Sequence, residues 1–214
     1  MTTQPTGLRE RKKRQTRESI SRHATHLFLQ RGFDQVTIAE IAETAQVAKM
    51  TVTNYFARKE DLALDLGDTF VSMLANAVRD RRPGESALAA LGRTYLAAAD
   101  AQDPVVGFSG PEFARMITDS PRLVARLREF HDDRERALAS ALADETGAAQ
   151  GEVMPRVAAA LLAGVHRLLF DETLRRTLDG DDNGSIAAAV TADAEVAFAA
   201  LEPSLGSYAV RPIS

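Results

Sequence analysis

The sequence predicts an all-α protein of about nine helices, with a small N-terminal domain and a larger helical body. Apolar residues recur at helical spacing through most of the chain, as in the four-residue steps of Leu62, Leu66, Phe70, Leu74 and Val78. Charge divides the chain in the same way, because residues 1–60 carry a net charge of +5 and the remainder a net charge of −9. A basic head on an acidic body is expected when nucleic-acid binding is confined to one end.

Composition excludes several classes of protein. The 214 residues include no cysteine, which excludes disulfides and thiolate metal sites and makes a reducing cytoplasm the expected compartment. No apolar run approaches the roughly 20 residues of a membrane span, so we predict no membrane partner. Catalytic, metal and cofactor motifs are not found. His131-Asp132-Asp133 is more simply a solvated cluster, and the segment from Gly107 to Gly110 lacks the spacing and the strand of a nucleophile elbow. We predict no enzyme activity and no cofactor.

Residues 36–62 contain the pattern of a helix-turn-helix. Thr37 and Glu40 have the spacing of a capping box, and Val36 and Ile41 occupy the positions of the accompanying hydrophobic staple. After a short turn, a second helix with polar side chains fits residues 48–55. In a helix-turn-helix the second helix enters the DNA major groove, so this segment predicts a DNA-reading domain.

A basic helix precedes this motif. Residues 1–10 show no periodicity and are predicted to be a disordered arm, whereas Arg11 to Gln30 form the first helix, with Gly32 as the stop signal. The basic residues lie at the N-terminal end of this helix. There Arg14 and Arg17 could contact DNA phosphates, which adds affinity with little sequence information.

The head resembles the TetR-like bacterial transcriptional regulators. The resemblance rests on T-R-x-x-I at Thr16–Ile20, A-x-x-L-F-x-x-x-G-F at Ala24–Phe33, V-T-I-x-x-I-A at Val36–Ala42 and T-x-x-N-Y-F-x-x-K-E-D-L at Thr51–Leu62. It implies a helix-turn-helix domain over residues 11–58, an effector-binding and dimerisation domain over residues 59–202, and a tail over residues 203–214. It also implies a homodimer that binds a palindromic operator and releases it when a small molecule binds.

Four positions depart from the family pattern. The family usually has Gly at Gln46, Ser at Ala48 and Arg58, and Tyr or Phe at Thr53. Loss of the two serines removes expected helix N-caps, worth about 1 kcal/mol each. The operator sequence therefore cannot be transferred from a relative. The candidate DNA-binding residues are Arg14, Arg17, Thr37, Lys49, Met50, Thr51, Thr53, Asn54, Tyr55 and Lys59.

The body is predicted to form a series of helices with recognisable start and stop signals. One long helix is predicted from Lys59 to Arg82, followed by helices over residues 86–99, from Pro104, from Pro121 to Gly147, from Pro155, and over residues 185–201. Asp103 and Ser120 are predicted N-caps because each precedes a proline that suits the first helical position.

A ligand cavity and a dimer surface are predicted in this body. An apolar cavity with a few polar groups is the usual form of a small-molecule site, and the aromatic, Met and His side chains of the central helices are its candidates: Tyr95, Phe108, Phe113, Met116, Phe130, His166 and Phe170. Each of these residues could equally be ordinary core. The last two helices are apolar on more than one side, which favours a two-fold interface. Its candidates are Leu161, Val165, Leu168, Val190, Ala194 and Phe198.

The sequence thus predicts a cytoplasmic, ligand-responsive DNA-binding regulator, most simply a repressor. The resemblance implies a hydrophobic or acyl-CoA-like effector. The alternative is an all-helical ligand-binding or catalytic protein whose head no longer regulates DNA.

Overall fold

The computed structural model describes residues 7–213, which form ten α-helices and one turn of 3₁₀-helix and contain no strand. The helices are α1 Leu8–Arg31, α2 Ile38–Thr44, α3 Lys49–Tyr55, α4 Lys59–Ala63, α5 Gly67–Arg79, α6 Ala87–Asp100, α7 Pro111–Asp119, α8 Pro121–Thr146, α9 Met154–Asp179 and α10 Asn183–Leu205. The all-α prediction is confirmed.

The described chain divides into two compact units. The N-terminal unit comprises the described residues up to Asp65 together with Arg115–Arg126, and the C-terminal unit comprises Leu66–Ala114 and Leu127–Ser214. The end of α7 and the first turns of α8 therefore belong to the N-terminal unit. The predicted boundary between the DNA-binding and effector-binding domains, after residue 58, remains a prediction. The N-terminal compact unit extends beyond it, to Asp65.

Helix α1 begins at Leu8, three residues before the predicted start at Arg11. The backbone N–H groups of Glu10 and Arg11 donate to the carbonyl of Gly7, at 2.9 and 3.2 Å, and close the first turn. The predicted disordered arm of residues 1–10 is therefore wrong for Leu8–Glu10, and its first six residues lie outside the described part of the chain.

The predicted single helix from Lys59 to Arg82 is wrong, because it is interrupted between α4 and α5. Leu64 leaves helical geometry with φ −107° and ψ 51°. The Asp65 carboxylate accepts a hydrogen bond from the Ser21 hydroxyl, and its carbonyl accepts one from the Arg17 guanidinium at 3.3 Å. These contacts with α1 hold Asp65 in the interruption, so the four-residue apolar steps continue across a break that periodicity does not reveal.

Of the two N-caps predicted in the body, Asp103 is confirmed and Ser120 is not, and the helix predicted from Ser86 is capped by that residue. The Ser86 hydroxyl accepts the backbone N–H of Ala89 at 3.1 Å, and the Asp103 carboxylate accepts that of Val105 at 2.9 Å. Asp103 starts only the 3₁₀ turn Pro104–Val106. The predicted Ser120 cap is wrong, since its buried hydroxyl has no hydrogen-bond partner.

The C-terminal segment is held against the body, contrary to the predicted tail over residues 203–214. Helix α10 starts at Asn183, two residues earlier than predicted, and runs to Leu205, past Pro203. Leu205 is buried in a core cluster with α5, α6, α8 and α9. The backbone of Arg211 pairs with Gly84 and Glu85, at 2.8 and 3.0 Å. Ser214 lies outside the described residues.

Helix α10 is long and apolar enough, by length and composition alone, to cross a membrane. Asp193 and Glu195 interrupt its apolar residues, so it gives only weak support for a membrane span. An apolar helix of a packed domain meets the same test. Only 17% of its most apolar stretch is buried within the described chain, which leaves an exposed apolar surface.

Candidate nucleic-acid interface and effector site

The capping box that starts α2 is formed in full. The Thr37 hydroxyl oxygen accepts the backbone N–H of Glu40 at 3.3 Å, and the Glu40 carboxylate accepts the backbone N–H of Thr37 at 2.8 Å. Arg31 pairs with the same carboxylate at 2.7 Å. Hydrogen bonds from Thr37, followed by the one from Arg31, lower the pKa of Glu40 to about 2. This predicted motif is confirmed and fixes where α2 begins.

The turn between α2 and α3 has the geometry of a Schellman motif. Gln46 is left-handed, with φ +53°. Its N–H donates to the carbonyl of Glu43 at 3.0 Å, and the N–H of Val47 donates to that of Ala42 at 2.9 Å. Glycine is the usual residue at this conformation because it has no Cβ. The structure therefore explains why the family pattern has Gly where this chain has Gln.

Helix α3 presents a polar face to solvent. Val52 is fully buried and Phe56, which follows the helix, is buried, so these two anchor it. Lys49, Thr53 and Asn54 are exposed, and Met50 is 70% exposed. Thr51 and Tyr55 are half-buried beside this face. These side chains supply an amine, hydroxyls, an amide and a thioether, which are groups able to meet base edges and phosphates.

Two basic candidates make contacts within the N-terminal unit. Arg14 is exposed and pairs only loosely with Glu18, at 3.6 Å. The Arg17 guanidinium lies 4.7 Å from the centre of the Phe56 ring and donates to the Asp65 carbonyl. Arg17 thus links the residue that follows α3 to the interruption that follows α4. A contact with DNA would be an additional role.

Lys59 is also held by aromatic rings. Its Nζ lies 4.3 Å from the centre of the Phe33 ring and 5.7 Å from that of Phe28. Burial lowers the pKa of Lys59. The N-cap position of α4 is occupied by Arg58. Its guanidinium has no acceptor atom, so this side chain cannot cap the helix. The Asp61 carboxylate instead accepts the N–H of Arg58 at 3.2 Å, which partly replaces the missing serine cap.

The candidate effector residues are distributed between the two units. Met116 is buried and lies in the N-terminal unit, while the other six lie in the C-terminal unit. Five of these six are buried and Phe113 is half-buried. Tyr95 and His166 are in edge-to-face contact, with ring centres 5.5 Å apart. Both His166 ring nitrogens lack hydrogen-bond partners among the described residues, and the Tyr95 hydroxyl lies near the side chain of Thr173. Burial raises the pKa of Tyr95 to about 12 and lowers that of His166 to about 3.

A second polar group, absent from the effector candidates predicted from sequence, lies in α8. The predicted solvated cluster at His131-Asp132-Asp133 is wrong for His131, whose ring is buried. His131 and Arg134 are both buried, and Arg134 donates to the His131 Nδ1 at 3.1 Å. Phe70 packs against both, 5.0 Å from the His131 ring and 4.1 Å from the guanidinium. Phe170 of α9 contacts Phe70 and His131. Arg134 continues the apolar stripe of Leu127, Phe130, Leu138 and Leu142. A charge at a stripe position is the sequence signal that could have identified it.

The α9 and α10 surface only partly matches the interface candidates. Leu161 is 42% and Leu168 60% exposed, and Val165 and Phe198 are half-buried. Val190 and Ala194 are fully buried inside the chain, so they cannot offer area to a partner. Val196, which the sequence-based set missed, is 72% exposed. Leu168 and Val196 line an open groove of about 900 Å³ that also contains Arg167, Asp171, Glu172 and Asp193.

The fold and this exposed helix-turn-helix define a class of protein, the helical transcriptional regulators that read DNA through a recognition helix. Residues 20–66 match the model of the bacterial regulatory proteins of the tetR family. The HTH-type transcriptional regulator TcmR of Streptomyces glaucescens is 30% identical over 172 residues, covering 78% of this chain and 76% of that protein. The chain belongs to the TetR family, and it is a DNA-binding transcriptional regulator.

Other comparisons agree with this assignment. The putative mycofactocin biosynthesis transcriptional regulator MftR of Mycobacterium tuberculosis is 27% identical over 194 residues, covering 90% of this chain and 94% of that protein. Among solved structures, a SmeT–triclosan complex matches with a TM-score of 0.56 at 15% identity, covering 93% of this chain and 96% of that one. NalD, the secondary repressor of the MexAB-OprM multidrug efflux pump in Pseudomonas aeruginosa, matches with a TM-score of 0.53 at 20% identity, covering 86% and 97%. These two likenesses show the fold.

Proposed function

We propose that this regulator is a cytoplasmic homodimeric repressor, released from a palindromic operator by a small, largely hydrophobic effector. The observation that carries the proposal is the recognition helix α3, whose buried Val52 anchors it while Lys49, Met50, Thr53 and Asn54 are exposed. An exposed polar helix after a capped scaffold helix is suited to the major groove. A repressor acts by occupying its operator, which requires no further protein surface.

The exposed apolar surface of α9 and α10 supports the dimer. Leu161, Leu168 and Val196 expose large apolar side chains on these two helices. A two-fold axis would pair this surface with its copy, and two recognition helices would then address half-sites about 34 Å apart. Leu168→Glu should convert the dimer to a monomer, measured by light scattering during size-exclusion chromatography. Val210→Glu, at an exposed apolar position outside both helices, should leave the dimer intact.

The unpartnered polar side chains within the C-terminal unit support the effector site. Buried polar groups in proteins are nearly always hydrogen-bonded, whereas both ring nitrogens of His166 have no partner among the described residues. Apolar rings surround them, including Phe198, 5.6 Å from the His166 ring. A ligand that is mostly apolar with a few polar atoms would complete these hydrogen bonds.

Helix α8 offers a physical route for release. Its first turns belong to the N-terminal unit, where Arg126 pairs with Asp61 of α4 at 2.8 Å. Its next turns carry His131 and Arg134 in the C-terminal unit. An effector that shifts α8 would act on α4 through this ion pair, with a coupling free energy of about 1–3 kcal/mol. Asp61→Asn should bind operator normally and respond less to effector.

Fluorescence anisotropy with the DNA upstream of the protein's own gene tests the central proposal. We expect salt-dependent, sequence-selective binding that weakens roughly ten-fold or more in Lys49→Ala, because a good base contact contributes about 1–3 kcal/mol. Arg136→Ala removes the same charge from an exposed site on α8 in the C-terminal unit and should bind as the unmodified protein does. Equal loss in both variants, or no selective binding, would favour a ligand-binding protein whose head no longer regulates DNA.

A further inference from the structure

Helix α8 buries a positive charge that forms no ion pair among the described residues. Arg134 is 1% exposed, and its guanidinium carbon lies over the Phe70 ring, 4.1 Å from the ring centre. Its one hydrogen-bonding partner in the described residues is the Nδ1 of His131, at 3.1 Å, and its Nε has none. Asp171 attracts it from a distance without forming an ion pair. Burial lowers the pKa of Arg134 to about 9, so the side chain is still charged at neutral pH.

The hydrogen-bond polarity of this pair can be assigned. A guanidinium only donates, so the His131 Nδ1 must accept. Burial, followed by the charges of Arg134 and Arg167, lowers the pKa of His131 to about 3, which keeps the ring neutral. The ring proton is therefore on Nε2, and this atom has no partner. Among the described residues, two buried donors, the His131 Nε2–H and the Arg134 Nε–H, have no acceptor, and both lie beside a buried positive charge that forms no ion pair.

Such a group is costly unless something binds it. A buried ion without a partner is strongly unfavourable, and each unmet buried donor adds to that cost. An anionic oxygen compensates the charge and accepts from the Arg134 Nε–H, which a neutral apolar ligand does not do. We propose that the effector is an organic anion with an aromatic body, whose acidic group binds Arg134. This inference rests on the proposed function in placing the effector within the C-terminal unit.

The rest of the site indicates the other end of the ligand. Phe70 and Phe170 are in edge-to-face contact, with ring centres 5.6 Å apart. Both rings lie beside the position that we propose for the acidic group of the ligand. One helical turn before Phe170 on α9, about 6 Å away, lies His166, whose two ring nitrogens are unpartnered. The Tyr95 hydroxyl is beside it. These groups can donate and accept, so they suit a hydroxyl or carbonyl oxygen. The predicted ligand therefore has an acidic group, an aromatic body and a second polar oxygen.

Two probes that differ by one sulfonate group test this proposal directly. The aromatic sulfonate 8-anilinonaphthalene-1-sulfonate and the neutral N-phenyl-1-naphthylamine share one body, and both gain fluorescence when bound. Titration of the unmodified protein without DNA should give about ten-fold or greater preference for the sulfonate, since a hydrogen bond to a charged group contributes roughly 1.5–3 kcal/mol. Equal affinity for the two probes would overturn the proposal, and this measurement does not depend on any variant folding.

Arg134→Met locates the preference. This variant keeps the apolar stem and removes the charge, and it should lose sulfonate affinity about ten-fold while binding the neutral probe as before. Arg136→Met, two residues along α8 and exposed, is the matched control and should bind both probes normally. The sulfonate should raise the Tm of the unmodified protein and fail to raise that of Arg134→Met. Sulfonate binding unchanged in Arg134→Met would overturn the assignment.

Failure of this inference and failure of the proposed function give different results. Probe binding is measured without DNA, and operator binding is measured without probe. Charge-selective probe binding without operator recognition would contradict the proposed function and support the anion site. Operator recognition without charge selectivity would support the proposed function and contradict the anion site. Release of bound operator by the sulfonate, absent in Arg134→Met, would show that the anion site controls operator binding.

Discussion

Among the described residues, the buried ionisable side chains with polar atoms that lack hydrogen-bond partners all lie in the C-terminal unit. In the N-terminal unit, the capping box of Thr37 and Glu40 and the pair of Asp61 with Arg126 are satisfied within the chain. In the C-terminal unit, His166 and Arg134 are buried with polar atoms that lack partners. The first arrangement specifies a fixed shape, which a DNA-reading surface requires. The second leaves free energy to be gained when a ligand binds, which a sensor requires.

The largest test of this contrast is His166→Leu. The substitution removes two unmet polar atoms from a fully buried side chain, so we expect the free energy of unfolding to rise by about 1–3 kcal/mol. Urea unfolding followed by circular dichroism measures it. His131→Leu is the matched variant with the opposite sign, because it takes away the acceptor of Arg134 and should destabilise. A loss of stability in both variants would show that the His166 nitrogens are satisfied in solution.

Thr37→Ala tests the other side of the comparison. It removes a cap that is formed within the chain, so the N-terminal unit should lose about 1 kcal/mol of stability. Thr44→Ala on the same helix is the control, since its exposed hydroxyl donates to the Glu40 carbonyl and caps no free N–H. It should change stability by less than about 0.5 kcal/mol. Thermal unfolding of the two variants separates these expectations.

Lys59→Met distinguishes a phosphate contact from an internal one. The ammonium lies over the Phe33 ring, a contact that contributes about 0.5–1 kcal/mol, and methionine keeps the apolar part of it. If Lys59 also binds a phosphate, the slope of log affinity against log salt falls by about one. Operator titrations at several salt concentrations measure this slope, with Arg136→Met as the control. A lower stability with an unchanged salt slope would show that Lys59 stabilises the N-terminal unit and does not contact a phosphate.

The sequence predicted features that depend on neighbouring residues and missed those that depend on distant ones. The capping box and the DNA-reading helix follow from residues three or four apart, and both are present. The break after Ala63 depends on Asp65 meeting α1, 44 residues earlier in the chain at Ser21. No local pattern contains such a contact. Arg134 was missed for another reason: its position in an apolar stripe was visible, but charges are usually expected at the surface.

Gln46→Gly is expected to have the smallest effect, and it also bears on the family pattern. The left-handed conformation costs a residue with a Cβ about 1 kcal/mol or more, while glycine loses more backbone entropy on folding. The net gain should be about 0.5 kcal/mol in the N-terminal unit. Gln102 has the same φ of +53° in the C-terminal unit, but its side chain accepts a hydrogen bond from Asn183 at 3.2 Å. Gln102→Gly should therefore gain less than Gln46→Gly, and thermal unfolding of both measures the difference. A loss of stability at Gln46 would mean that its side chain contributes a contact that outweighs the backbone strain.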